Sequence, residues 1–268
     1  MIDFSQARVT VVGDAIQDHW VYGHSDRLSP EGPWPVHVYE REVICDGGAA
    51  NVAANIKALG GNVALISPYR RSQKYRFMAG RHQMFRHDVE TTAPIWTAEE
   101  DRIFAAMEKS DPQVVVLSDY GKGCFGGNLA ERIITWCGRA GIPTVIDPSG
   151  DWHRYCGATV VTPNATEAPP DPKIALALHG IRAILRTEGE RGMTLFDMAE
   201  KPQHIPASGP NVVDIVGAGD TVVAALALGM AIELPLIEAA KIANAAAGVV
   251  VGKPGTATCS REELEAAL

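Results

Sequence analysis

The sequence predicts an α/β fold built on a doubly wound, mostly parallel sheet with a small β lid. Short apolar runs rich in β-branched residues recur along the 268 residues, and segments with apolar residues at helical spacing lie between them. Strands that alternate with helices are typical of a parallel sheet covered on both faces. Two stretches break this alternation, and they predict the lid.

The predicted strands of the parallel sheet are short and are followed by turn residues or helices. They cover residues 9–12, 63–66, 114–117, 144–146, 159–161 and 183–185. Helices are predicted over 48–59 and 129–140, and two alanine-rich helices within 217–251 join near residues 233–235. Residues 18–41 and 74–89 contain strand-like pieces outside this series and predict lid strands within a single domain, 1–268.

Composition and charge restrict the possible functions. No apolar run approaches the roughly 20 residues that span a bilayer, and the first residues lack the zones of a signal peptide, so we expect a cytoplasmic protein. A formal net charge of −8 argues against broad nucleic-acid binding. The five cysteines have no paired spacing, so neither a disulfide framework nor a zinc site is predicted, and Cys137 is expected in the core.

The segment 214–221, Asp-Ile-Val-Gly-Ala-Gly-Asp-Thr, precedes an apolar helix. Glycines at the start of a helix let an anion approach the free N–H groups and the positive end of the helix dipole. Asp220 has two interpretations on these grounds. It is either a helix cap or a general base that accepts a proton from an attacking hydroxyl.

A second motif, Asp-Gly-Gly-Ala-Ala-Asn-Val-Ala at 46–53, accompanies the first. The two motifs in this order resemble the signatures of the ribokinase-like (PfkB) carbohydrate kinases. The resemblance implies a ribokinase-like fold, an ATP-dependent kinase, Asp220 as the catalytic base, and an anion hole formed by the backbone of Gly217, Ala218 and Gly219. The expected partner is a small-molecule phosphorylated sugar.

The resemblance also implies a sugar site and a nucleotide site. Sugar hydroxyls would be bound by Asp14, Asp18, Gly47, Gly48 and Asn51, although the two aspartates could lie in a solvated turn and the two glycines could only start a helix. ATP and Mg²⁺ would lie near Asn164 and Glu167, with Glu167 nearest the metal. A turn containing Thr187, Gly189 and Gly192 would contact the nucleotide phosphates, and Asn244 would flank the adenine.

A competing interpretation comes from Gly121 to Gly126, which fits the pattern Gly-x-Gly-x-x-Gly after a predicted strand, with Asp147 at a later strand end. That context is typical of dinucleotide-binding proteins, so a nicotinamide-dependent oxidoreductase is an alternative of a different class. Against it, such a motif usually opens the first βαβ unit, where this chain has Gly13 and Asp14. It also leaves Asn51 and Asp220 without a role.

Further segments at 27–31, 47–56, 118–123 and 245–253 resemble the D-glycero-β-D-manno-heptose 7-phosphate kinases. This resemblance implies phosphorylation of the C1 hydroxyl to the 1,7-bisphosphate, with Gln83, Arg86, Asp119 and Lys122 near the substrate. Arg86 and Lys122 are candidate phosphate ligands, whereas Arg81 is better explained as a solvated charge. Other sugars and nucleosides of ribokinase-like kinases share most of these motifs and stay open as alternatives.

The chain departs from the family in three places. Val216 stands where heptose kinases usually have threonine, and the connections after Pro68 and after Glu167 are shorter than the family pattern. These shortened connections leave a third hypothesis, a protein that binds the ligands without catalysis. In this family an exposed β lid often pairs with another, so a homodimer through the lid is expected.

Overall fold

The computed structural model describes residues 2–209 and 212–268. In chain order its strands are β1 (Arg8–Gly13), β2 (Ala15–His24), β3 (Val38–Gly48), β4 (Asn62–Ile66), β5 (Ser72–Ala79), β6 (His82–Val89), β7 (Val114–Ser118), β8 (Thr144–Asp147), β9 (Val160–Val161), β10 (Ala183–Thr187), β11 (Met193–Asp197) and β12 (Gln203–Ile205). Its helices are α1 (Ala49–Ala58), α2 (Thr97–Lys109), α3 (Leu129–Ala140), α4 (Pro172–His179), α5 (Ala218–Ala231), α6 (Leu236–Val250) and α7 (Arg261–Ala267), with 3₁₀ turns at Trp152–Tyr155 and Gly189–Arg191.

The main sheet has eight strands in the order β12-β11-β10-β9-β8-β7-β1-β4. The strands from β10 to β4 in this order pair in parallel, while β11 and β12 continue the sheet in antiparallel fashion. This arrangement confirms the predicted α/β fold with a mostly parallel sheet. The carboxyl ends of the parallel strands therefore share one edge, where ligand sites of such sheets form.

Two apolar cores cover the two faces of this sheet. Alternate residues of each strand point to opposite faces, so Val114 and Val116 pack in one core and Val115 and Leu117 in the other. Helices α1, α5 and α6 contribute to the first core, and α2, α3 and α4 to the second. Every strand residue of β7 is fully buried, which explains why it is a continuous apolar run in the sequence.

The lid is a separate four-stranded sheet in the order β3-β2-β5-β6. It begins directly after β1, because only Asp14 separates β1 from β2. Its strands include most of the predicted lid residues but start earlier, and β3 runs through Gly48 into α1. None of the helices within residues 2–209 and 212–268 combines the length and the hydrophobicity of a membrane-spanning segment.

Candidate active site

Asp220 lies in the first turn of α5 with 5% of its surface exposed. Its Oδ2 accepts a 2.7 Å hydrogen bond from Nδ2 of Asn51, and its Oδ1 accepts a short hydrogen bond from the hydroxyl of Tyr120. The residue at the N-cap is Gly217, which provides no side-chain cap. The Asp220 carboxylate thus bonds to side chains from other parts of the chain rather than capping α5, which disfavours the capping interpretation.

The environment of Asp220 changes its acidity. Burial raises its pKa to about 6, and the hydrogen bonds from Tyr120 and Asn51 limit this rise because they stabilise the carboxylate. Asp18 raises the pKa further by like-charge repulsion, whereas Lys74 lowers it by attraction. A carboxylate with a pKa near 6 is ionised at neutral pH and is a stronger base than an ordinary aspartate.

A buried amide network supports Asn51 behind the carboxylate. Nδ2 of Asn55 donates to the backbone oxygen of Asn51 at 3.0 Å and to its Oδ1 at 3.3 Å. Oδ1 of Asn55 in turn accepts from Oγ1 of Thr221 at 3.0 Å and from the backbone N–H of Cys259 at 3.3 Å. The orientation of the Asn51 amide is therefore fixed by α1, α5 and the segment before α7. Asn55 and Tyr120 were not predicted as site residues.

The anion-hole prediction requires accessible backbone N–H groups in the loop before α5. Gly219 and Ala218 differ in this respect. A Cβ atom at Gly219 would meet no atom within 4 Å, so its backbone is accessible. The N–H of Ala218 instead donates to the oxygen of Ile215 at 3.3 Å. Asp214 holds the loop by accepting from the N–H groups of Val216 at 3.0 Å and Gly255 at 2.9 Å.

The carboxylate of Asp14 binds the loop that follows β7. It accepts hydrogen bonds of 3.0 to 3.1 Å from the backbone N–H groups of Tyr120, Lys122 and Cys124. Burial raises the pKa of the Asp14 carboxyl, and these three hydrogen bonds oppose the rise. Within the Gly121–Gly126 segment the amides of Lys122 and Cys124 thus face Asp14, and that of Gly121 donates to Asp119, so these three are not free for the pyrophosphate of a dinucleotide.

Three other predicted sugar contacts, Asp18, Gly47 and Gly48, lie on the lid strands β2 and β3. Asp18 on β2 is buried and pairs with Arg76 on β5 at 3.1 Å. A Cβ atom at Gly47 would lie 2.5 Å from Oδ2 of Asp18, so a larger residue there would displace this carboxylate from its place beside Arg76. Gly48 has a φ of +57°, which glycine adopts readily, and this conformation turns β3 into α1.

Other predicted substrate residues already have partners within the chain. Asp119 is buried and accepts from the hydroxyl of Tyr155 at 2.7 Å, from Arg154 at 3.2 Å and from the N–H of Gly121 at 2.8 Å. The ammonium group of Lys122 pairs with Glu90.

The remaining predicted substrate residues lie on β6, the edge strand of the lid. Arg86 on the edge strand β6 pairs with Asp88 at 2.8 Å. Gln83 lies on the same strand, and Arg81 precedes β6 in an exposed turn.

A cavity of about 390 Å³ opens beside Asp220 at the carboxyl ends of the strands. Of the predicted site residues it is lined by Asp119, Asn164, Glu167, Thr187, Gly217, Gly219 and Asp220. It is also lined by Tyr120, Asp147, Pro148, Ser149, Thr162 and Val222, which were not predicted as site residues. The structure thus brings residues of the 214–221 motif and of the predicted nucleotide side around one space. The 46–53 motif contributes through the hydrogen bond from Asn51 to Asp220.

The cavity is strongly acidic. Burial raises the pKa of Asp147 well above its usual value, and the carboxylates of Asp220, Glu167 and Asp119 raise it further. Glu167 also accepts from the N–H of Asn164 at 3.0 Å, which fixes the turn after β9. Oxygen donors of this kind suit Mg²⁺, so the donor set fits the metal that the family resemblance implies here.

Three predicted nucleotide residues lie outside this cavity. Asn244 donates from Nδ2 to the oxygen of Pro206 at 2.8 Å and thereby holds the segment after β12 against α6. Gly189 and Gly192 form the connection between β10 and the antiparallel β11, where the oxygen of Gly192 accepts from the N–H of Glu188 at 2.8 Å. Contact of these residues with a nucleotide stays a prediction.

Comparison with known structures identifies the fold. Ribokinase from Arabidopsis thaliana, solved with ribose and ATP, superposes with a TM-score of 0.70 at 18% identity, covering 98% of each chain. Phosphofructokinase-2 from Escherichia coli, solved with potassium, superposes with a TM-score of 0.78 at 18% identity, covering 97% of each chain. These likenesses confirm the ribokinase-like fold.

Sequence comparison identifies the family. Residues 110–263 match the family model described as pfkB family carbohydrate kinase. The curated protein named bifunctional protein HldE of Paramagnetospirillum magneticum is 38% identical over 306 residues, covering 97% of this chain and 63% of that protein. Its counterpart in Methylococcus capsulatus is 38% identical, covering 99% of this chain and 65% of that protein. The chain thus spans less than two thirds of these relatives.

The length of the alignments agrees with the short connections noted in the sequence. An alignment of 306 residues exceeds the 268 residues of the chain, so the relatives have positions that this chain lacks. The family match also decides between the alternative functions, because a carbohydrate kinase leaves no support for a nicotinamide-dependent oxidoreductase. The chain belongs to the pfkB family of carbohydrate kinases and is an ATP-dependent sugar kinase.

Proposed function

We propose that this kinase phosphorylates a sugar that already carries a phosphate, and that the substrate is D-glycero-β-D-manno-heptose 7-phosphate. The product would be the 1,7-bisphosphate, a precursor of the heptose in lipopolysaccharide. Two findings support this substrate: the segments that resemble heptose 7-phosphate kinases, and the similarity to the bifunctional proteins HldE. The proposal concerns the kinase reaction alone, because the chain spans less than two thirds of those relatives.

The observation that carries the proposal is a row of cations on the lid. In the lid register Asp18 lies opposite Lys74, and Arg76 lies opposite Arg86. Because side chains alternate between the faces of a strand, Asp18, Lys74, Arg76 and Arg86 share one face. This face looks toward the active site, since both Asp18 and Lys74 influence the pKa of Asp220. Arg76 pairs with Asp18 and Arg86 with Asp88, so a substrate phosphate would bind the two opposed arginines by sharing or replacing these carboxylates.

In the proposed reaction Asp220 accepts the proton of the attacking sugar hydroxyl. The hydroxyl oxygen then forms a bond to the terminal phosphorus of ATP, and ADP leaves with the electrons of the broken P–O bond. The hydrogen bonds from Tyr120 and Asn51 fix the orientation of the Asp220 carboxylate that accepts this proton. The accessible backbone of Gly219 at the positive end of α5 stabilises charge on the transferred phosphoryl group.

ATP and Mg²⁺ are proposed to occupy the acidic cavity. Glu167 and Asp147 would hold the metal there, directly or through water, and Asn164 and Thr187 would lie beside the phosphates. Bound Mg²⁺ would neutralise phosphate charge during transfer. Without a cation the four carboxylates of this cavity would repel a nucleotide triphosphate, so their arrangement favours metal-dependent binding.

A substrate panel tests the proposal. Turnover would be measured by coupled ADP release with heptose 7-phosphate, the same heptose without phosphate, fructose 6-phosphate, ribose and a nucleoside. We expect the highest kcat/KM with heptose 7-phosphate and a much lower value for the unphosphorylated heptose. A higher kcat/KM with ribose or with the nucleoside than with heptose 7-phosphate would contradict the proposed substrate and identify the preferred one.

The lid cations allow a sharper version of this test. Arg86→Ala and Lys74→Ala should raise KM for the phosphorylated sugar tenfold or more, since each removes a charge-assisted contact of about 1.5–3 kcal/mol. The same variants should change KM for an unphosphorylated sugar little. Arg81→Ala provides the matched control, because Arg81 is an exposed arginine of the adjacent turn. Equal effects on both sugars would show that the cations do not bind the substrate phosphate.

The proposal includes two further properties. We infer a homodimer formed through the lid, whose strands carry the exposed side chains of Tyr39, Ile44, Phe85 and Val89. Sedimentation at several concentrations tests this assembly, and Phe85→Asp should weaken it. The cytoplasmic location predicted from the sequence accords with a substrate made from soluble sugar phosphates and with the use of ATP.

A further inference from the structure

Three potential metal ligands meet on the surface away from the kinase cavity. His153 and Cys156 belong to the 3₁₀ turn after β8 and its end, and His179 is the last residue of α4. One ligand atom from each lies within 4.8 Å of the others. Cysteine spacing alone does not reveal this group, because two of its members are histidines and 23 residues separate Cys156 from His179.

The distance between two of these ligands already fits a shared metal ion. Sγ of Cys156 lies 3.6 Å from Nδ1 of His179. Zinc binds imidazole nitrogen at about 2.05 Å and thiolate sulfur at about 2.3 Å, and at a tetrahedral angle these bonds separate N from S by about 3.6 Å. The present separation of these two atoms therefore allows one Zn²⁺ to bind both of them.

The third ligand can join with a small movement. The ring of His153 lies edge-on to that of His179, with 4.8 Å between their centroids. His153 is exposed, so rotation of its side chain toward the other two ligands meets little packing resistance. Cys156 is also exposed and forms no disulfide, so its sulfur is accessible to a metal ion.

The geometry points to a Zn²⁺ site formed by His153, Cys156 and His179, with water in the fourth position. Two imidazoles and one thiolate are donors of borderline softness, which suit Zn²⁺ and its spectroscopic substitute Co²⁺ better than Mg²⁺ or Ca²⁺. The site differs from the acidic cavity in both location and donor chemistry. The ion would connect the turn after β8 with the end of α4, in addition to the hydrogen bond from the N–H of Gly157 to the oxygen of His179 at 2.9 Å and the ring contacts of His179 with Trp152 and His153.

The proposed metal site is connected to the kinase cavity through Asp119. The residues between His153 and Cys156 are Arg154 and Tyr155, and both donate to the carboxylate of Asp119. Asp119 lines the cavity beside Asp220. A metal that binds on both sides of this dipeptide would restrict the turn from which Arg154 and Tyr155 reach Asp119, and so stabilise the folded state around it.

Cobalt binding to the purified, untagged and metal-free protein tests the inference. We expect one equivalent of Co²⁺ to bind, with the thiolate-to-metal charge-transfer absorption and intense visible bands of a four-coordinate site, and Zn²⁺ to displace it. Cys156→Ser should abolish the charge-transfer absorption, and His179→Gln and His153→Gln should weaken binding at least tenfold. Cys45→Ser and His82→Gln are the matched controls and should bind cobalt like the unchanged protein.

A thermal measurement gives an independent readout. Zn²⁺ at about 100 times its Kd should raise the Tm of the unchanged protein by about 5 °C or more, because it binds only the folded state. Cys156→Ser should lose this increase while keeping its far-ultraviolet circular dichroism spectrum. If Co²⁺ binds without charge transfer, or binds equally well to Cys156→Ser and His179→Gln, the contact between these residues is only a hydrogen bond and the inference is wrong.

Discussion

Nδ2 of Asn51 donates a 2.7 Å hydrogen bond to Oδ2 of Asp220, joining α1 to α5 across 169 residues of sequence. Each residue belongs to one of the two motifs that resemble the family signatures. The bond therefore explains why both motifs are needed in one protein: one supplies the carboxylate and the other orients it. Tyr120 completes the arrangement from the loop after β7.

The hydrogen bonds to Asp220 predict a shift in the pH dependence of turnover. Because the pKa of Asp220 is about 6, kcat should fall with decreasing pH below about 6, where the base becomes protonated. Tyr120→Phe removes a hydrogen bond that lowers this pKa, so the acid limb of the kcat profile should move to higher pH. Tyr69→Phe, which changes an exposed tyrosine outside the lid strands, is the control. An unchanged limb in Tyr120→Phe would contradict the role given to its hydroxyl.

Asp220 also predicts a gain of stability when its charge is removed. Its pKa is raised in the folded protein, so the folded state binds the proton more tightly than the unfolded state does. The free energy of unfolding should therefore decrease as pH rises from about 4 through 6. Asp220→Asn has no carboxyl group to ionise, so its free energy of unfolding should not show this decrease. At pH 8 it should exceed that of the unchanged protein by at most about 3 kcal/mol.

Urea unfolding at pH 8 and pH 4.5 measures this difference. The advantage of Asp220→Asn should be large at pH 8 and small at pH 4.5. A variant less stable than the unchanged protein at pH 8 would show that the ionised carboxylate stabilises the fold instead.

Two glycines of the loop before α5 should respond differently to alanine. At Gly217, with φ of +80°, a Cβ atom would lie 2.7 Å from Nδ2 of Asn51, so Gly217→Ala should strain the backbone and displace Asn51 from Asp220. We expect a loss of stability of about 1 kcal/mol or more together with lower kcat. Gly219→Ala, where the Cβ atom meets nothing within 4 Å, should keep the stability.

The kinetics of Gly219→Ala then report on the anion hole. If the backbone of Gly219 approaches the transferred phosphoryl group, the methyl group introduced by Gly219→Ala should lower kcat. The variant should still be as stable as the unchanged protein. Comparable losses of stability in the two variants would contradict the different surroundings that the structure gives them.

Asp14 predicts a structural effect larger than that of an ordinary surface carboxylate. Asp14→Ala leaves the N–H groups of Tyr120, Lys122 and Cys124 without their acceptor. Each lost charge-assisted bond is worth about 1.5–3 kcal/mol, so unfolding should become easier by several kcal/mol and KM for the sugar should rise. Asp26→Ala, at an exposed position, is the control in denaturant unfolding. A stability equal to that of the control would refute this role.

The sequence predicts much of this fold because its central strands are continuous runs of apolar residues. Val114 to Leu117 is apolar throughout since both faces of β7 are covered, and Gly141 ends α3 with a φ of +71° as helix-ending glycines do. Helix α2 was missed because only Glu100, Ile103 and Met107 are buried along its thirteen residues. The antiparallel strands β11 and β12 carry no signal of their direction in so short a stretch.

The site was predictable only where its residues lie within motifs. Asp220 and Asn51 could be found in this way, but the contact of Tyr120 with Asp220 joins residues 100 apart and has no local pattern. The three backbone partners of Asp14 depend on the conformation of a loop rather than on side-chain type. Lys74 was missed because its orientation toward Asp220 follows from the register of β5 with β2.

The most direct test of the proposed mechanism is the turnover of Asp220→Asn at saturating ATP, Mg²⁺ and sugar phosphate, measured by ADP release. The substitution keeps the size of the side chain and removes its basicity. Since general base catalysis contributes about 10²–10⁴-fold, kcat should fall by at least about 100-fold while the Kd for ATP changes little. Turnover within a few-fold of the unchanged enzyme would show that Asp220 is not the base.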